Sequence, residues 1–137
     1  DYPEQMRALV QPVINGDAVM VIGSRARGKR IKGSMAPQQI FGNWLATTLI
    51  KLLFGARFSD LGPFRAITWA TLLDLNMQDT NYGWTVEMQI KVAKKKLRFT
   101  EIAVDYRPRI GVSKITGTVK GTIMAGYKII TTIFKYY

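Results

Sequence analysis

Four stretches of this chain gather side chains able to do chemistry. Val21-Ile22-Gly23-Ser24-Arg25 is an apolar run that passes into a Gly-Ser turn and an arginine. Open α/β sheets bind ligands beyond the carboxyl ends of their strands, and an arginine at that edge can hold a phosphate in a fork. A solvated basic loop is the plainer reading. Asp60-Leu61-Gly62-Pro63-Phe64-Arg65 sets a rigid Gly-Pro turn between an acid and a base within pairing reach. Asp60, Gly62 and Arg65 therefore read as a structural turn, braced by an Asp60–Arg65 pair. Gly83-Trp84-Thr85-Val86-Glu87 places a carboxylate in the first turn of a helix, where it complements the helix dipole. In Arg107-Pro108-Arg109-Ile110-Gly111-Val112-Ser113-Lys114, Pro and Gly shape a loop whose guanidiniums, hydroxyl and ammonium can converge on a polyphosphate. A basic surface loop is the equal alternative.

Composition narrows the chemistry. The 137 residues contain no His and no Cys. Catalytic triads built on imidazole, thiolate nucleophiles, disulfide scaffolds and zinc held by Cys or His are excluded. The chain is 47% hydrophobic and 21% charged, enough apolar content for one packed domain. Lys and Arg number 20 against 9 Asp and Glu, a net charge of +11. Such a chain attracts phosphates, nucleic acid or an anionic membrane face.

These residues need elements to hold them. Met6, Leu9, Val10, Val13 and Ile14 recur at helical spacing until Asn15-Gly16. Ala18 to Ile22 reads as a buried strand. Ile40, Phe41, Trp44, Leu45, Thr48, Leu49, Leu52 and Leu53 fit a helix ending near Gly55, with Phe41, Trp44, Phe54 and the later Trp69 expected in the core. Phe64 to Ile67 is a short strand, and Thr68 caps a helix to about Leu75. Thr85 to about Leu97 is helical, and Phe99 to Tyr106 is a strand. A helix from 118 to 137 closes the chain, with Ile123, Tyr127, Ile130 and Phe134 as its packing stripe and Lys120, Lys128 and Lys135 on one polar face. Packing on its own domain or lying on a membrane surface are its two possible roles. The order is α/β, with few strands for a complete parallel sheet. Asp1-Tyr2-Pro3-Glu4 has neither the basic nor the apolar region of a signal peptide and lacks Met, so a piece of a longer protein is expected. No window reads as a transmembrane helix.

Taken in order, VIGSR, FGNWLATTLIKLLFG, DLGPFRAI, YGWTVEMQIKVAKKKLRFTEIAVDYRPR and IGVSKITGTVKGT resemble glycosyltransferase family 2, and within it the dolichol-phosphate (polyprenol-phosphate) mannose and glucose synthases. The resemblance implies a GT-A fold, of which residues 1–137 would be the C-terminal portion with an incomplete sheet. It implies that the chain begins just after the family's Asp-x-Asp metal motif. Mg²⁺ or Mn²⁺ would then be held upstream of Asp1, with no metal ligand in this chain.

By that resemblance Arg25 matches the family's arginine beside the metal and phosphates. Arg107 or Arg109, with Ser113 and Lys114, matches the basic loop that closes over the sugar nucleotide's diphosphate. No basic residue lies between Lys32 and Lys51, where the family meets the acceptor phosphate, so Arg30 and Lys32 are the candidates for that contact. The family's general-base Asp corresponds to Thr85 here, while Glu87 stays a catalytic candidate beside its dipole role. A phosphate acceptor is already an anionic nucleophile and needs little help from a base. The implied reaction is inverting transfer of a hexose from a GDP- or UDP-hexose to a polyprenyl phosphate. The implied setting is peripheral, on the cytoplasmic face of a membrane, and the 137 residues alone are expected to be inactive. Rival readings are a family 2 enzyme with a hydroxyl acceptor, or a non-catalytic basic module on nucleic acid or anionic membrane. Nucleic acid is not the expected partner, on the ground that the aromatic residues occupy core positions.

Overall fold

The computed structural model describes residues 3–28, 37–80, 83–105 and 119–137. A 3-10 turn, Pro3–Gln5, leads into α1, Met6–Ile14. Asn15 caps that helix, and Gly16, at φ +77°, turns the chain out of it. The central strand β1 is Met20–Ser24, and it is buried along its whole length. It pairs antiparallel with β2, Arg65–Ile67, and parallel with β3, Phe99–Ala103. The sheet order is β2-β1-β3. Among the described residues neither outer edge of this sheet meets another strand. Helices α2, Pro37–Phe54, α3, Trp69–Leu75, α4, Trp84–Lys94, and α5, Val119–Lys135, complete the order.

The strand β1 runs two residues further than its apolar stretch suggests, because the parallel register with β3 continues to Ser24 opposite Ala103. Gly23 permits this: a Cβ there would lie 2.9 Å from the Phe64 carbonyl oxygen and 3.0 Å from the Val104 side chain. Alternation along β1 then divides the core. Val21 faces α1 with Leu9 and Ala18, backed by Val13 and Ile102. Met20 and Ile22 face the other way, into the main cluster with Ala46, Ile50, Val86, Ile90 and Ile133. Each fully buried Val, Ile or Met side chain among them contributes about 1.5–3 kcal/mol. Phe58 and Phe99 stack at 4.4 Å between ring centroids at its border. The side chain of Thr68 accepts from the Thr71 amide at 3.3 Å, the cap its sequence position requires.

Two expectations about packing are corrected. Phe41, Trp44 and Trp69 are exposed rather than in the core, and only Phe54 packs against it. In α5 three of the four residues of the expected packing stripe lie on the outside, and Ile130 is half-buried. Ile133 is fully buried and Ile129 packs on the core, whereas Ile123, Tyr127 and Phe134 face out. The reason is the same in α2 and α5. Each is apolar on more than one side, and its neighbours decide which side is covered. Nor do the three α5 lysines act as one free polar face, since Lys128 pairs with Asp79 at 3.1 Å.

Candidate functional site

Five elements bring polar groups to the carboxyl end of β1. The chain leaves β1 at Ser24, whose hydroxyl meets that of Ser59. The Ser59 amide and hydroxyl both donate to Glu101 Oε2 of β3, at 2.9 and 3.0 Å. Asn43 of α2 clamps the same turn from the other side. Its Nδ2 donates to the Ser59 carbonyl at 3.1 Å, and its Oδ1 accepts from the Leu61 amide at 2.8 Å. Gln89 of α4 donates to the Asp60 carbonyl at 3.0 Å. The 59–62 turn is thereby fixed to the end of β1 and to interior residues of β3, α2 and α4.

Asp60 pairs with Arg25, which corrects the expected pair with Arg65. The Asp60 side chain is fully buried, and Arg25 Nη2 lies 2.8 Å from its Oδ1. Nε and the main-chain amide of Arg25 both donate to Oδ2, at 2.9 and 2.8 Å. A forked, charge-assisted pair of this kind fixes the guanidinium in direction as well as place. Arg65 is held by other groups. Its Nη2 donates to the Gly62 carbonyl at 2.7 Å and to Gln89 Oε1 at 3.3 Å, and its Nη1 to the Thr85 carbonyl at 3.2 Å. Burial lowers the Arg65 guanidinium from its ordinary value to about 10, with Asp60 opposing that fall and Arg25 adding to it. It stays protonated at neutral pH. Gly62 is small for a spatial reason: a Cβ there would lie 2.5 Å from the Gly23 carbonyl oxygen.

Beside this cluster a groove of about 220 Å³ runs between α2 and α5. Arg25, Asn43, Leu61 and Thr85 line it, together with Gly42, Ala125, Gly126 and Ile129 and the polar Gln38, Gln39 and Thr122. Among the described residues that line it there is no Asp, Glu or His. Arg25 and Thr85 are thus brought together, as neighbours on one groove.

Glu87 lines a different cavity, with Gln78, Asp79, Lys128 and Tyr136. Its carboxylate accepts from the amides of Gln78 and Asp79, both at 2.7 Å, and pairs with Lys91 at 2.8 Å. Burial pushes this carboxyl upward, but Lys91 and the two amides reverse that, so it titrates below the ordinary glutamate range. The structure does not place Glu87 on the groove of Arg25. Arg30, Lys32, Arg107, Arg109, Ser113 and Lys114 lie outside the described residues. Sequence reasoning missed Ser59, Asn43 and Gln89. Their one signal was polarity at positions on otherwise core-facing elements.

Among the described residues no three His, Cys, Asp or Glu side chains converge to hold a metal ion.

No protein-family model matches the chain, and no solved structure matches it. Curated relatives do. A low-salt glycan biosynthesis hexosyltransferase, Agl6, of Haloferax volcanii is 31% identical over 117 residues, which is 82% of this chain and 28% of that protein. An undecaprenyl-phosphate mannosyltransferase of Micrococcus luteus is 29% identical over 126 residues, 87% of this chain and 50% of that protein. The glycosyltransferase AglJ of Haloferax volcanii is 30% identical over 90 residues, 65% of this chain and 29% of that protein. The chain spans half or less of each of these relatives. All three are named as glycosyltransferases.

Proposed function

We propose that the protein containing this chain is an inverting glycosyltransferase of family 2 that moves a hexose from a GDP- or UDP-hexose to a polyprenyl phosphate. The supporting relative is the undecaprenyl-phosphate mannosyltransferase, whose alignment covers 87% of this chain. The single structural observation that carries the choice of acceptor is the groove. It is lined by Arg25, by small and apolar residues and by the amides of Gln38, Gln39 and Asn43, with no carboxylate or imidazole among its described lining. A hydroxyl acceptor requires a base to take its proton, and the groove offers Thr85 in that place. A phosphate monoester arrives ionised and attacks unaided.

In this reading Asp60 orients Arg25, and Arg25 faces the phosphate end of the acceptor or donor. The catalytic demand is to neutralise charge developing on the departing diphosphate, and fixed cations meet it without reorganising. Arg107, Arg109, Ser113 and Lys114 are proposed for the diphosphate, and Arg30 and Lys32 for the acceptor phosphate, by resemblance alone. Glu87, whose two oxygens hold the 78–79 segment, is read as a brace rather than a base. The GT-A architecture is part of the proposal. So are a divalent ion bound by residues outside those described and a peripheral position on the cytoplasmic membrane face.

The test is a transfer assay on the full-length protein with radiolabelled GDP-mannose or UDP-glucose. Label should appear in organic-extractable product with polyprenyl phosphate and be absent with the unphosphorylated polyprenol. Equal transfer to the polyprenol, or transfer only to a sugar hydroxyl, overturns the acceptor assignment.

A further inference from the structure

Strand β3 offers two side chains of one face to the loop that follows α2. Phe99 and Glu101 are two residues apart, so they share a face of the sheet. It is the main-core face. Phe99 and Glu101 stand in register with Met20 and Ile22, and Met20, Ile22 and Phe99 all belong with the main cluster. The loop answers residue for residue. The Phe58 ring stacks on Phe99 at 4.4 Å. The Ser59 amide and hydroxyl reach Glu101 Oε2 at 2.9 and 3.0 Å. A carboxylate on this face is costly to desolvate, and an apolar side chain would avoid that cost. The ring stack sets where the loop lies. The two donors on one oxygen set how Ser59 is turned.

These bonds have a direction. The Ser59 hydroxyl has one proton, and Glu101 takes it. Towards Ser24 that hydroxyl then accepts, so the wholly buried Ser24 hydroxyl donates to it at 2.5 Å. The run from Ser24 to Ser59 to Glu101 ends on a carboxylate, a group that only accepts. Each serine is followed by one member of the ion pair: Arg25 follows Ser24, and Asp60 follows Ser59. The Ser24–Ser59 bond and the Arg25–Asp60 fork are therefore adjacent rungs between the same two segments. Among the described residues lining the groove are Arg25 and Asn43, but neither Ser59 nor Glu101. Of the groups that clamp the turn, Glu101 is thus one that acts from outside the site.

We propose that Glu101 is a positioning residue for Arg25. By gripping Ser59 through both amide and hydroxyl it fixes the turn of the chain at residue 59, and with it the direction in which Asp60 presents its carboxylate. Asp60 in turn aims the guanidinium at the groove. Without Glu101 the stacked rings still hold the loop against β3, but the Ser59 hydroxyl is free to reverse and the rung beside the fork loses its fixed sense. The effect on Arg25 stands on these contacts; its consequence for transfer rests on the function proposed above.

The test uses the full-length protein with isotope-labelled arginine and the variants Glu101→Ala and Glu101→Gln. Val13→Ala, in the separate cluster under α1, is the control for a general loss of stability. Solvent exchange of the Arg25 Nε–H is followed by NMR, the signal being identified by its absence in Arg25→Lys. Exchange should be slow in wild type and rise about tenfold or more in Glu101→Ala, as the fork opens more often. Glu101→Gln keeps an acceptor oxygen and should fall between the two; it also answers the question if the Ala variant does not fold. Transfer to polyprenyl phosphate, per folded molecule, should drop on the order of tenfold in Glu101→Ala and stay at the wild-type rate in Val13→Ala. Unchanged exchange in both Glu101 variants overturns the proposal. So does an equal rise in Val13→Ala, which would make the effect a general loosening. Faster exchange with wild-type transfer also overturns it, by confining Glu101 to the fold. A wild-type protein that transfers no hexose to polyprenyl phosphate sinks the proposed function alone, because the exchange rates still decide whether Glu101 sets Arg25.

Discussion

Arg25 and Asp60 meet across two chain segments in a two-pronged ion pair, Nη2 to Oδ1 at 2.8 Å and Nε to Oδ2 at 2.9 Å, with the Arg25 amide on the same Oδ2 at 2.8 Å. The carboxylate is wholly buried, and the guanidinium lines the groove. The pair therefore ties the end of β1 to the 59–62 turn and aims a cation at the site in one arrangement.

Arg25→Ala leaves the Asp60 carboxylate buried without its guanidinium. Removing one member of a buried pair costs about 3–5 kcal/mol. Denaturant unfolding should show a loss of that order, and adding Asp60→Asn should recover part of it. A single-variant loss below about 1 kcal/mol would mean that water already reaches this carboxylate.

Glu87→Gln should destabilise the protein by about 1–3 kcal/mol at neutral pH, because two amides and Lys91 lose a charged acceptor inside the fold. Its pH dependence has a definite sign. The folded carboxyl titrates below its ordinary 4.5, so its stabilisation is full above that value and fades as pH falls through the lower folded pKa. Unfolding curves of wild type and variant should converge in acid. A gap that stays constant with pH would exclude the charged contact. An activity profile that loses its acidic limb in the variant would make Glu87 a base after all.

Gly62→Ala should cost about 1–3 kcal/mol, the usual range for forced overpacking. Its Cβ would press on the Gly23 carbonyl at 2.5 Å, backbone against backbone, where no rotamer offers relief. Transfer activity should fall with stability, since the same turn carries Asp60. A variant as stable as wild type would show that the turn can withdraw from β1.

Thr85→Ala should retain most of the transfer activity, because an ionised phosphate acceptor needs no proton taken from it. Lys114→Ala and Arg109→Ala should each lower it on the order of 10²-fold, if each cation stabilises charge in the transition state, while melting temperatures stay near wild type. Kinetics of the full-length enzyme decide this. Collapse of activity in Thr85→Ala points to a hydroxyl acceptor, and wild-type rates in the cation variants sink their role.

Local chemistry made most elements legible from sequence. The Thr68 hydroxyl caps α3, Gly16 and Gly55 adopt the positive φ that ends α1 and α2, and the apolar run before Arg25 becomes the buried central strand. Each of these signals acts within a few residues, so the sequence alone determined them, along with the absence of imidazole and thiol chemistry. The partner of Asp60 was a different kind of question. Arg65 is nearer along the chain, but the pairing of β1 between β2 and β3 delivers Arg25 to the carboxylate, while the Gly62 and Thr85 carbonyls take up Arg65. The exposed side of α5 was equally undecidable, because apolar residues surround much of that helix. Only its contact with α2 and α4 buried Ile129 and Ile133 and turned Ile123, Tyr127 and Phe134 outward. Caps and turns are fixed by neighbours in sequence. Ion-pair choice and the buried face of an all-round apolar helix are fixed by neighbours in space, which only the tertiary structure supplies.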